Sequence, residues 1–417
     1  MTDTTTFPEV GTRVRGARVL LSDVVLDAHG PADPTGHARA ESLTAHLDRV
    51  GPRPTGTPAL VEVLDRAGLS GHGGAHVPAA SKWRRVLAGD GHLTVVANGA
   101  ESEPVAAKDG TLLRQRPHLV IDGLLLTAEA LGARRAVIWL HGDDRGARKA
   151  LRAALAERPW SPSAPAVEIV DGPVHYLAGE ASAITQAVAG GPALPTVRRR
   201  PEPGAPRTLV HNVETLARLA LLARGYPPSG TRLLTVLGDG RAVVEVDAST
   251  TFTELLVDLG WAEAPQAVLL GGYGGLWAPW TRLAGLPVDE GVLRGEGLSL
   301  GAGVVAPLGA WACGVKQTAG LVAYLASMSA RQCGPCVFGL PALAESTLAL
   351  ADGRRGAGVD RLLDDAAAVE GRGACHHPDG ATRLVASATS TFADDIAAHA
   401  AGRPCRGTAE VWPGVSR

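Results

Sequence analysis

Between residues 51 and 225, segments with the helical spacing of hydrophobic residues alternate with short strand-like segments. The helix-like segments are 59–67, 119–132, 144–157 and 178–189, and the strand-like segments are 93–97, 135–140 and 167–170. Apolar residues three and four apart indicate amphipathic helices, whereas short, bounded apolar runs indicate buried strands. Because the two kinds of segment alternate through short connections, we predict a parallel sheet covered by helices.

The pattern changes after residue 230. Strand-like runs at 233–237 and 242–246 are joined by Gly-Asp-Gly-Arg, which is a typical hairpin connection. A short helix over 253–259 and a third strand over 267–271 follow. We predict a small β-grasp domain here and interpret it as a spacer or docking unit.

Helical spacing dominates the chain from residue 316 onward. The predicted helices are 316–329, 339–352, 359–370 and 381–400. Four helices with short links predict a bundle. The uncharged run before them, 297–315, is about as long as a membrane span. It contains five glycines and Pro307, so we predict buried strand and turn instead.

The predicted fold class is therefore multidomain, α/β together with α+β. The expected parts are an N-terminal accessory segment (1–50), a Rossmann-like domain (51–225), a β-grasp domain (226–295) and a helical bundle (296–417). A chain of 417 residues is long enough for several cores.

Composition and charge exclude some functions. The 40 basic and 42 acidic residues give a net charge of −2, so no overall field attracts nucleic acid or an anionic membrane. Arg198–Arg200 lies in a proline-rich stretch, and we predict a solvated loop there. Because the amino terminus lacks a basic region followed by an apolar core, we expect a cytoplasmic protein. It could be peripheral to a membrane complex but would not insert into the bilayer.

Glycines cluster in residues 68–83 and end in Lys82. Without side chains, Gly71, Gly73 and Gly74 allow backbone N–H groups to approach an anion closely. The segment is neither a Rossmann fingerprint nor a Walker loop, because a helix precedes it and Gly-Lys-Ser/Thr is absent. Taken alone, it is compatible with a phosphate-binding loop and with a plain surface loop.

Polar residues follow the strand-like run 93–97. This turn reads Asn98-Gly-Ala-Glu101-Ser-Glu103-Pro. Because α/β proteins bind ligands at the carboxyl ends of strands, we predict a ligand site here.

In these two segments the chain resembles the NADH-oxidising, FMN-binding flavoprotein subunit of respiratory complex I and related diaphorase subunits. That family reads G-L-R-G-R-G-G-A-G-F-P in the loop and N-A-D-E-S-E-P in the turn. Tyr176-Leu-Ala-Gly-Glu-Ala-Ser-Ala and Val210-His-Asn-Val-Glu-Thr also match family motifs. The resemblance runs from about residue 55 to about residue 395 and implies a soluble-ligand-binding β-grasp domain for the insert.

The resemblance implies roles for particular residues. Those implied to bind FMN or line its site are Gly71, Gly73, Gly74, Lys82, Asn98, Tyr176, Gly179, Asn212 and Thr215. Three acids, Glu101, Glu103 and Glu180, would lie where flavin and nicotinamide meet. The implied activity is NADH or NADPH oxidation through FMN and an iron–sulfur cluster to a partner protein, such as a ferredoxin or a membrane reductase.

Cysteines provide a candidate metal site. Cys333 and Cys336 lie between the first two predicted bundle helices, and Cys375 precedes the last one. These two links share one end of an antiparallel bundle, so three thiolates can converge and would suit zinc or an iron–sulfur cluster. The resemblance favours [4Fe–4S], with Ala330 in place of the family's first cysteine. We interpret Cys313 as a buried thiol and expect Cys405 in the tail to be unrelated to these three cysteines.

The departures from the family pattern leave alternatives open. With Ala330 the chain could bind a cluster with an unusual fourth ligand such as His376 or His377. It could also bind an open or [3Fe–4S] form, or no cluster. Val77, Arg85, Ala100 and Ala181 replace residues typical of the dinucleotide side. A loss of the acid at Ala181 would relax discrimination against NADPH. A degenerate electron-transfer or structural subunit is therefore the second hypothesis, and a zinc-bearing scaffold the third.

Overall fold

The computed structural model describes residues 20–21, 25–27, 40–160, 164–196, 204–227, 230–238, 240–403, 405, 407–410 and 412. The basic run Arg198–Arg200 and most of the N-terminal segment lie outside these residues.

Within the described residues, the structure contains the predicted strands and helices and several elements that were not predicted, among them the strand Arg207–Asn212 and the helix Val213–Leu222. The strands are β1 (Val25–Asp27), β2 (Leu93–Asn98), β3 (Arg135–His141), β4 (Ala166–Gly172), β5 (Arg207–Asn212), β6 (Thr231–Leu237), β7 (Arg241–Asp247), β8 (Ala267–Leu270), β9 (Leu276–Pro279) and β10 (Val304–Leu308). The helices are α1 (Leu43–Val50), α2 (Leu60–Arg66), α3 (Ala79–Leu87), α4 (Lys108–Gln115), α5 (Pro117–Ala130), α6 (Arg145–Ala156), α7 (Ala181–Val188), α8 (Val213–Leu222), α9 (Phe252–Asp258), α10 (Trp280–Leu283), α11 (Glu290–Gly295), α12 (Gly314–Ser327), α13 (Leu340–Ala351), α14 (Val359–Val369), α15 (His377–Thr391) and α16 (Ala393–Ala400).

The predicted parallel sheet is present. Its order is β4-β3-β2-β5, and every pairing is parallel. Helices α5 and α8 pack together beside it. A Cβ at Gly123 of α5 would lie 2.0 Å from the carbonyl oxygen of Leu216 in α8, so only glycine permits this contact. The close packing keeps the start of α8 fixed against the sheet.

A second sheet has the order β1-β7-β6-β10-β8-β9. The predicted hairpin is confirmed as the antiparallel pair β6 and β7. β10 confirms the buried strand predicted within 297–315, although it lies inside the range 296–417 assigned to the helical bundle. It pairs with β6 and β8. All five of its residues are buried, because this uncharged run forms the centre of the sheet. The sheet also includes β1 from the N-terminal segment.

Helices α12 to α16 follow the second sheet. Helix α12 packs against α13 and α15, α14 packs against α13, and α15 lies on β9. The segment 381–400, predicted as one helix, is interrupted at Phe392 between α15 and α16. A π-helical turn, Pro335–Gly339, precedes α13 and contains Cys336. In the described part of the chain, no helix combines the length and apolar character needed to cross a bilayer.

Candidate functional site

The glycine loop is a closed structure at the start of α3. The N–H of Gly71 donates to the carbonyl of Val77 at 2.9 Å, and that of Ala79 donates to Leu69 at 2.8 Å. Gly74 has a φ of 95°, a conformation that strongly favours glycine. Pro78 gives α3 no side-chain cap. The first-turn N–H groups of α3 therefore lie next to the loop, as in an anion-binding site.

The loop is attached to the start of α8. The N–H of His72 donates to the Thr215 hydroxyl at 2.9 Å. A Cβ at Gly73 would lie 3.3 Å from the Cβ of Asn212. Asn212 caps α8 by accepting a bond from the N–H of Glu214. The structure thus brings together five residues predicted to bind FMN: Gly71, Gly73, Gly74, Asn212 and Thr215.

Asn98 and Asn212 lie side by side at the carboxyl ends of β2 and β5. Asn98 donates to the carbonyl of Gly179 at 2.9 Å. A Cβ at Gly179 would lie 2.6 Å from the Ser102 hydroxyl, so this glycine is required for the close approach. Lys82 donates to the carbonyl of Val210 on β5 at 3.3 Å. Burial lowers the pKa of the Lys82 ammonium. The predicted polar groups therefore meet at one edge of the parallel sheet.

Glu101 and Glu103 have different environments. Glu101 accepts bonds from the N–H groups of Asp109 and Gly110 at the start of α4, at 3.2 and 3.3 Å. Burial and the charge of Asp109 raise its pKa to about 7, although Lys108 opposes them. Glu103 accepts a bond from the Tyr176 hydroxyl at 3.1 Å. Burial raises its pKa to about 8, while the backbone N–H of Tyr273 and the Tyr176 hydroxyl lower it.

Glu180 is the N-cap of α7. Its carboxylate accepts bonds from the N–H groups of Ser182 and Ala183 at 2.7 and 3.0 Å. This capping role is a structural reason for an acid at this position. Glu180 is also close enough to Cys375 to help raise the pKa of that thiol, after burial and the opposing N–H of His377.

Sequence reasoning did not identify a buried ionic group behind the loop. The Lys108 ammonium contacts Asp109 at 2.7 Å and Glu214 at 2.9 Å, and it donates to the carbonyl of His72 at 3.3 Å. Burial lowers the pKa of the His72 imidazole to about 3, so this side chain is neutral. In the sequence, only the nearby acids Glu101, Glu103 and Asp109 could have indicated this role.

A cavity of about 380 Å³ lies beside this ionic group. His72, His76 and Arg232 line part of it. In the described chain, the residues predicted to bind FMN do not line it. The motif residues therefore meet at the edge of the parallel sheet and not in this cavity.

Cys333, Cys336 and Cys375 are near enough to influence one another electrostatically. Burial and, to a smaller extent, the Cys333 and Cys375 thiols raise the pKa of the Cys336 thiol to about 12. The donor set fits an iron–sulfur cluster, because three thiols that are at least partly buried are near enough to influence one another. The fourth ligand is not assigned. The His376 side chain is 82% exposed and contacts Asp379, while Nε2 of His377 donates to Leu325 at 2.8 Å.

The departures from the family pattern have visible environments. Ala100 is buried in a small apolar cluster with Val96 and Trp139. Ala181 is exposed and directly follows the Glu180 cap. Arg85 is also exposed. These positions therefore offer a dinucleotide neither the acids nor the aromatic faces of the family pattern.

Comparison with known families identifies the two regions. Residues 64–221 match the Nuo51 FMN-binding domain. Residues 316–399 match the iron-sulfur binding region of NADH-ubiquinone oxidoreductase-F. The chain belongs to the family of F-type NADH-quinone oxidoreductase subunits. The glycine loop, the Asn98 turn and the Asn212 cap all lie in the first region, and Cys333, Cys336 and Cys375 lie in the second.

Curated relatives carry the same family name. The F-type NADH-quinone oxidoreductase chain of Mycobacterium tuberculosis is 27% identical over 382 residues, which cover 83% of this chain and 85% of the relative. An F-type chain of the same enzyme from Rhizobium meliloti is 29% identical over 359 residues, with 77% and 82% covered. This likeness extends across both matched regions.

Solved structures agree with the fold. A chain of an NAD+-reducing [NiFe]-hydrogenase in the H2-reduced state superimposes with a TM-score of 0.71 at 26% identity, covering 82% of this chain and 62% of that one. The air-oxidised form gives a TM-score of 0.73 at 25% identity, covering 91% and 69%. This chain therefore spans about two thirds of those hydrogenase chains.

Proposed function

We propose that the chain oxidises NADH at an FMN bound by the glycine loop and passes the electrons through an iron–sulfur cluster to a partner protein. The observation that supports this most directly is the position of Tyr176. Its hydroxyl donates to Glu103 on the flavin side. Its ring lies 5.3 Å from that of His377, two residues after Cys375. The Tyr176 side chain therefore lies between the two proposed cofactor sites and contacts residues of both.

The residues of the loop would bind and orient FMN. The N–H groups of Gly73 and Gly74, together with those in the first turn of α3 after Ala79, would suit a phosphate. Those of Gly71, His72 and Ala79 already donate to Val77, Thr215 and Leu69. Lys82 and Asn98 would bind polar groups at the sheet edge, and Thr215 would keep the loop in place. FMN supplies the two-electron acceptance of a hydride from NADH and the release of single electrons.

Glu103 would hold a proton beside the flavin. Its pKa of about 8 keeps the carboxyl neutral at pH 7, and the Tyr176 hydroxyl orients it. Glu101, with a pKa of about 7, would titrate within the working range. Glu180 would act by fixing α7 and the backbone of Gly179 instead of by proton transfer.

A partner would dock at the cysteine end of the helices. Val337 and Phe338 follow Cys336 in the π-helical turn and are 42% and 75% exposed. Curated relatives are subunits of a quinone oxidoreductase, and the solved neighbours are hydrogenase chains. We propose a redox protein as the partner here. We also propose that residues 226–295, with β10, are a β-grasp unit of the soluble-ligand-binding type and that the C-terminal helices form the iron–sulfur bundle.

Ala181 leads to a hypothesis about the nucleotide. Because no acid is present there to repel a 2′-phosphate, NADPH should be accepted as well as NADH. The ratio of kcat/KM for the two nucleotides tests this hypothesis, and a strong preference for NADH would refute it.

An anaerobic absorbance spectrum tests the main proposal. The purified chain, reconstituted with FMN, iron and sulfide, should have flavin bands and a broad iron–sulfur shoulder that both bleach with NADH or NADPH. The Cys333→Ser variant should lose the shoulder but keep a flavin band that bleaches. A flavin band that neither nucleotide bleaches would favour the degenerate electron-transfer role over the reductase.

A further inference from the structure

A second group of thiol and imidazole ligands lies apart from the predicted cluster cysteines. It consists of Cys313, His399 and Cys405, whose ligand atoms all lie within 4.8 Å of one another. Cys313 and His399 are completely buried, and Cys405 is partly buried. Cys405, expected from the sequence to be unrelated to the cluster cysteines, therefore lies beside other ligand-type side chains. Cys313 is buried as expected, but it has ligand-type neighbours.

The hydrogen bonds of His399 fix its tautomer. Nδ1 lies 2.8 Å from the carbonyl oxygen of Ala351, which can only accept, so Nδ1 carries the proton. Nε2 accepts from the N–H of Cys405 at 3.2 Å and lies 3.5 Å from the sulfurs of Cys313 and Cys405. A histidine that donates one ring N–H to a backbone carbonyl is the usual arrangement in metal sites, because it orients the other nitrogen toward the ion.

Cys313 is held at the start of α12. Its sulfur is the N-cap of this helix and accepts from the N–H of Lys316 at 3.4 Å. The N-terminus of a helix stabilises a thiolate, which is the form that binds metals. Burial raises the pKa of the Cys313 thiol to about 12, although the N–H of Lys316 opposes this. The thiol would therefore lose its proton only when a metal binds.

The C-terminal tail brings Cys405 to this position. Cys313 donates its N–H to the carbonyl of Thr408 at 2.8 Å. The Lys316 ammonium donates to the carbonyl of Gly407 at 2.9 Å. Gly407 and Thr408 of the tail are therefore attached to the start of α12 by contacts that do not need a metal.

Two of these three residues, Cys313 and Cys405, lie outside the matched iron–sulfur region, and His399 is its last residue. The matched iron–sulfur region begins at residue 316, after Cys313, and ends at residue 399, before Cys405. The ligands come from the start of α12, the last turn of α16 and the tail. The iron–sulfur assignment therefore does not account for this group.

We propose that Cys313, His399 and Cys405 bind one zinc ion that attaches the C-terminal tail to α12 and α16. Two thiolates and one imidazole are a typical zinc ligand set, and a water completes the tetrahedron. On binding, both thiols release their protons, and the ion replaces the contact between the Cys405 N–H and Nε2 of His399. The site is structural and does not depend on the proposed oxidation of NADH.

Metal analysis of the full-length protein tests this proposal. Anaerobically purified protein should contain about one zinc per chain, and Co²⁺ in its place should give thiolate charge-transfer and tetrahedral d–d bands. Cys405→Ala should weaken zinc binding by more than about a hundredfold, because losing partners of ligands already costs 10- to 100-fold. FMN and iron contents should be unchanged in this variant.

The matched control is Cys375→Ala, which should lose iron and keep zinc. This pair of variants separates failure of the zinc site from failure of the proposed function. Three results would overturn the proposal. They are zinc retained in full by Cys405→Ala, reduced wild-type protein without a Co²⁺–thiolate band, and a Cys313–Cys405 disulfide whose reduction creates no metal binding.

Discussion

Among single residues, Glu103 is unusual because it is a buried acid that accepts a hydrogen bond from a tyrosine hydroxyl. Its carboxyl is 8% exposed and lies against Gly272, where a Cβ would come within 2.5 Å of it. A buried carboxyl avoids the cost of desolvating a charge by remaining protonated. The glycine and the raised pKa are two consequences of the same close packing, which places an acid next to the hydroxyl of Tyr176.

We predict that Glu103→Gln changes how stability depends on pH. The folded-state pKa of about 8 exceeds the ordinary value of 4.5, so the folded protein binds the extra proton between these values. The contribution of Glu103 is present below pH 4.5 and is lost as pH rises toward 8. The stability of wild type relative to Glu103→Gln should therefore fall by up to about 1.4 kcal/mol per pH unit.

Melting temperatures of both proteins from about pH 5 to about pH 9 provide the measurement for this prediction. The exposed Glu263 supplies the control, since Glu263→Gln should run parallel to wild type. A difference in melting temperature between wild type and Glu103→Gln that does not change with pH would show that the surroundings do not raise the pKa of the Glu103 carboxyl.

We predict that Thr215→Val weakens FMN binding. The substitution removes the hydroxyl that accepts from the N–H of His72, so the glycine loop loses a contact that keeps it in place. A lost hydrogen bond of about 1 kcal/mol corresponds to about a fivefold higher Kd. Titration of the apo-protein with FMN, followed by quenching of flavin fluorescence, measures it. Thr215→Ser retains the hydroxyl and should bind like wild type, and equal losses in both variants would contradict the assigned role.

Between elements, the buried Lys108 joins α4, α8 and the glycine loop. Its ammonium is 3% exposed and lies between Asp109 of α4 and Glu214 of α8. Arg218 also contacts Glu214, at 2.7 Å. A buried ionic network of this kind is little more stable than a set of apolar residues in the same positions. The loss of one partner, however, leaves an uncompensated buried charge, which is strongly destabilising.

We predict that Lys108→Met destabilises the protein by about 3–5 kcal/mol, because Asp109 and Glu214 lose their shared cation. The glycine loop should also be cut faster by protease, since the Lys108 ammonium bonds the carbonyl of His72. Melting temperature and limited proteolysis measure the two effects. Lys149→Met on the exposed face of α6 should change neither, and a loop that stays protected in Lys108→Met would limit the role of Lys108 to α4 and α8.

Local periodicity was sufficient to predict most elements. Three strands of the parallel sheet followed from alternating segments, because each is a short apolar run. The fourth strand, β5, was not predicted, because it combines apolar residues with Arg207, His211 and Asn212. β10 was not predicted to lie in the second sheet, because its partners β6 and β8 are distant along the chain and its glycine-rich flanks resemble a turn. The break at Phe392 was also missed, because apolar spacing continues through it.

The candidate site was predictable where motifs are continuous. Asn98 and Asn212 come from two motifs, and parallel pairing of β2 with β5 places them together. Lys108 has no such signal, because its role depends on Glu214 more than a hundred residues away. Cys313, His399 and Cys405 show no spacing pattern either, since only the fold of the helices and tail brings them together.

For the whole molecule, the C-terminal tail connects the second sheet to the helices. Trp412 is 5% exposed. Its ring stacks on that of Tyr273 at 6.3 Å and lies 5.9 Å from that of Trp277. Glu410 accepts from the N–H of Gly309 at 2.8 Å, just after β10. The tail therefore belongs to the core and is not an appendage.

We predict that Trp412→Ala destabilises the tail by about 3 kcal/mol or more, because a buried aromatic side chain leaves a cavity. Amide hydrogen exchange of residues 405–410 should become faster, and the melting temperature should fall. Trp311 is 88% exposed, so Trp311→Ala should have little effect on either measurement. Unchanged exchange in Trp412→Ala would mean that the tail is held without its aromatic anchor.

The strands of the second sheet come from distant parts of the chain, and this determines when the sheet can form. β1 pairs with β7 across more than two hundred residues, and β10 joins β6 and β8 from a later part of the chain. The parallel sheet, by contrast, is complete once residue 212 has been made. During synthesis we therefore expect the flavin-side layer to fold first, while β6, β7 and β8 wait for their central strand. Stalled or truncated chains ending before residue 304 would expose these apolar edges and depend on chaperones.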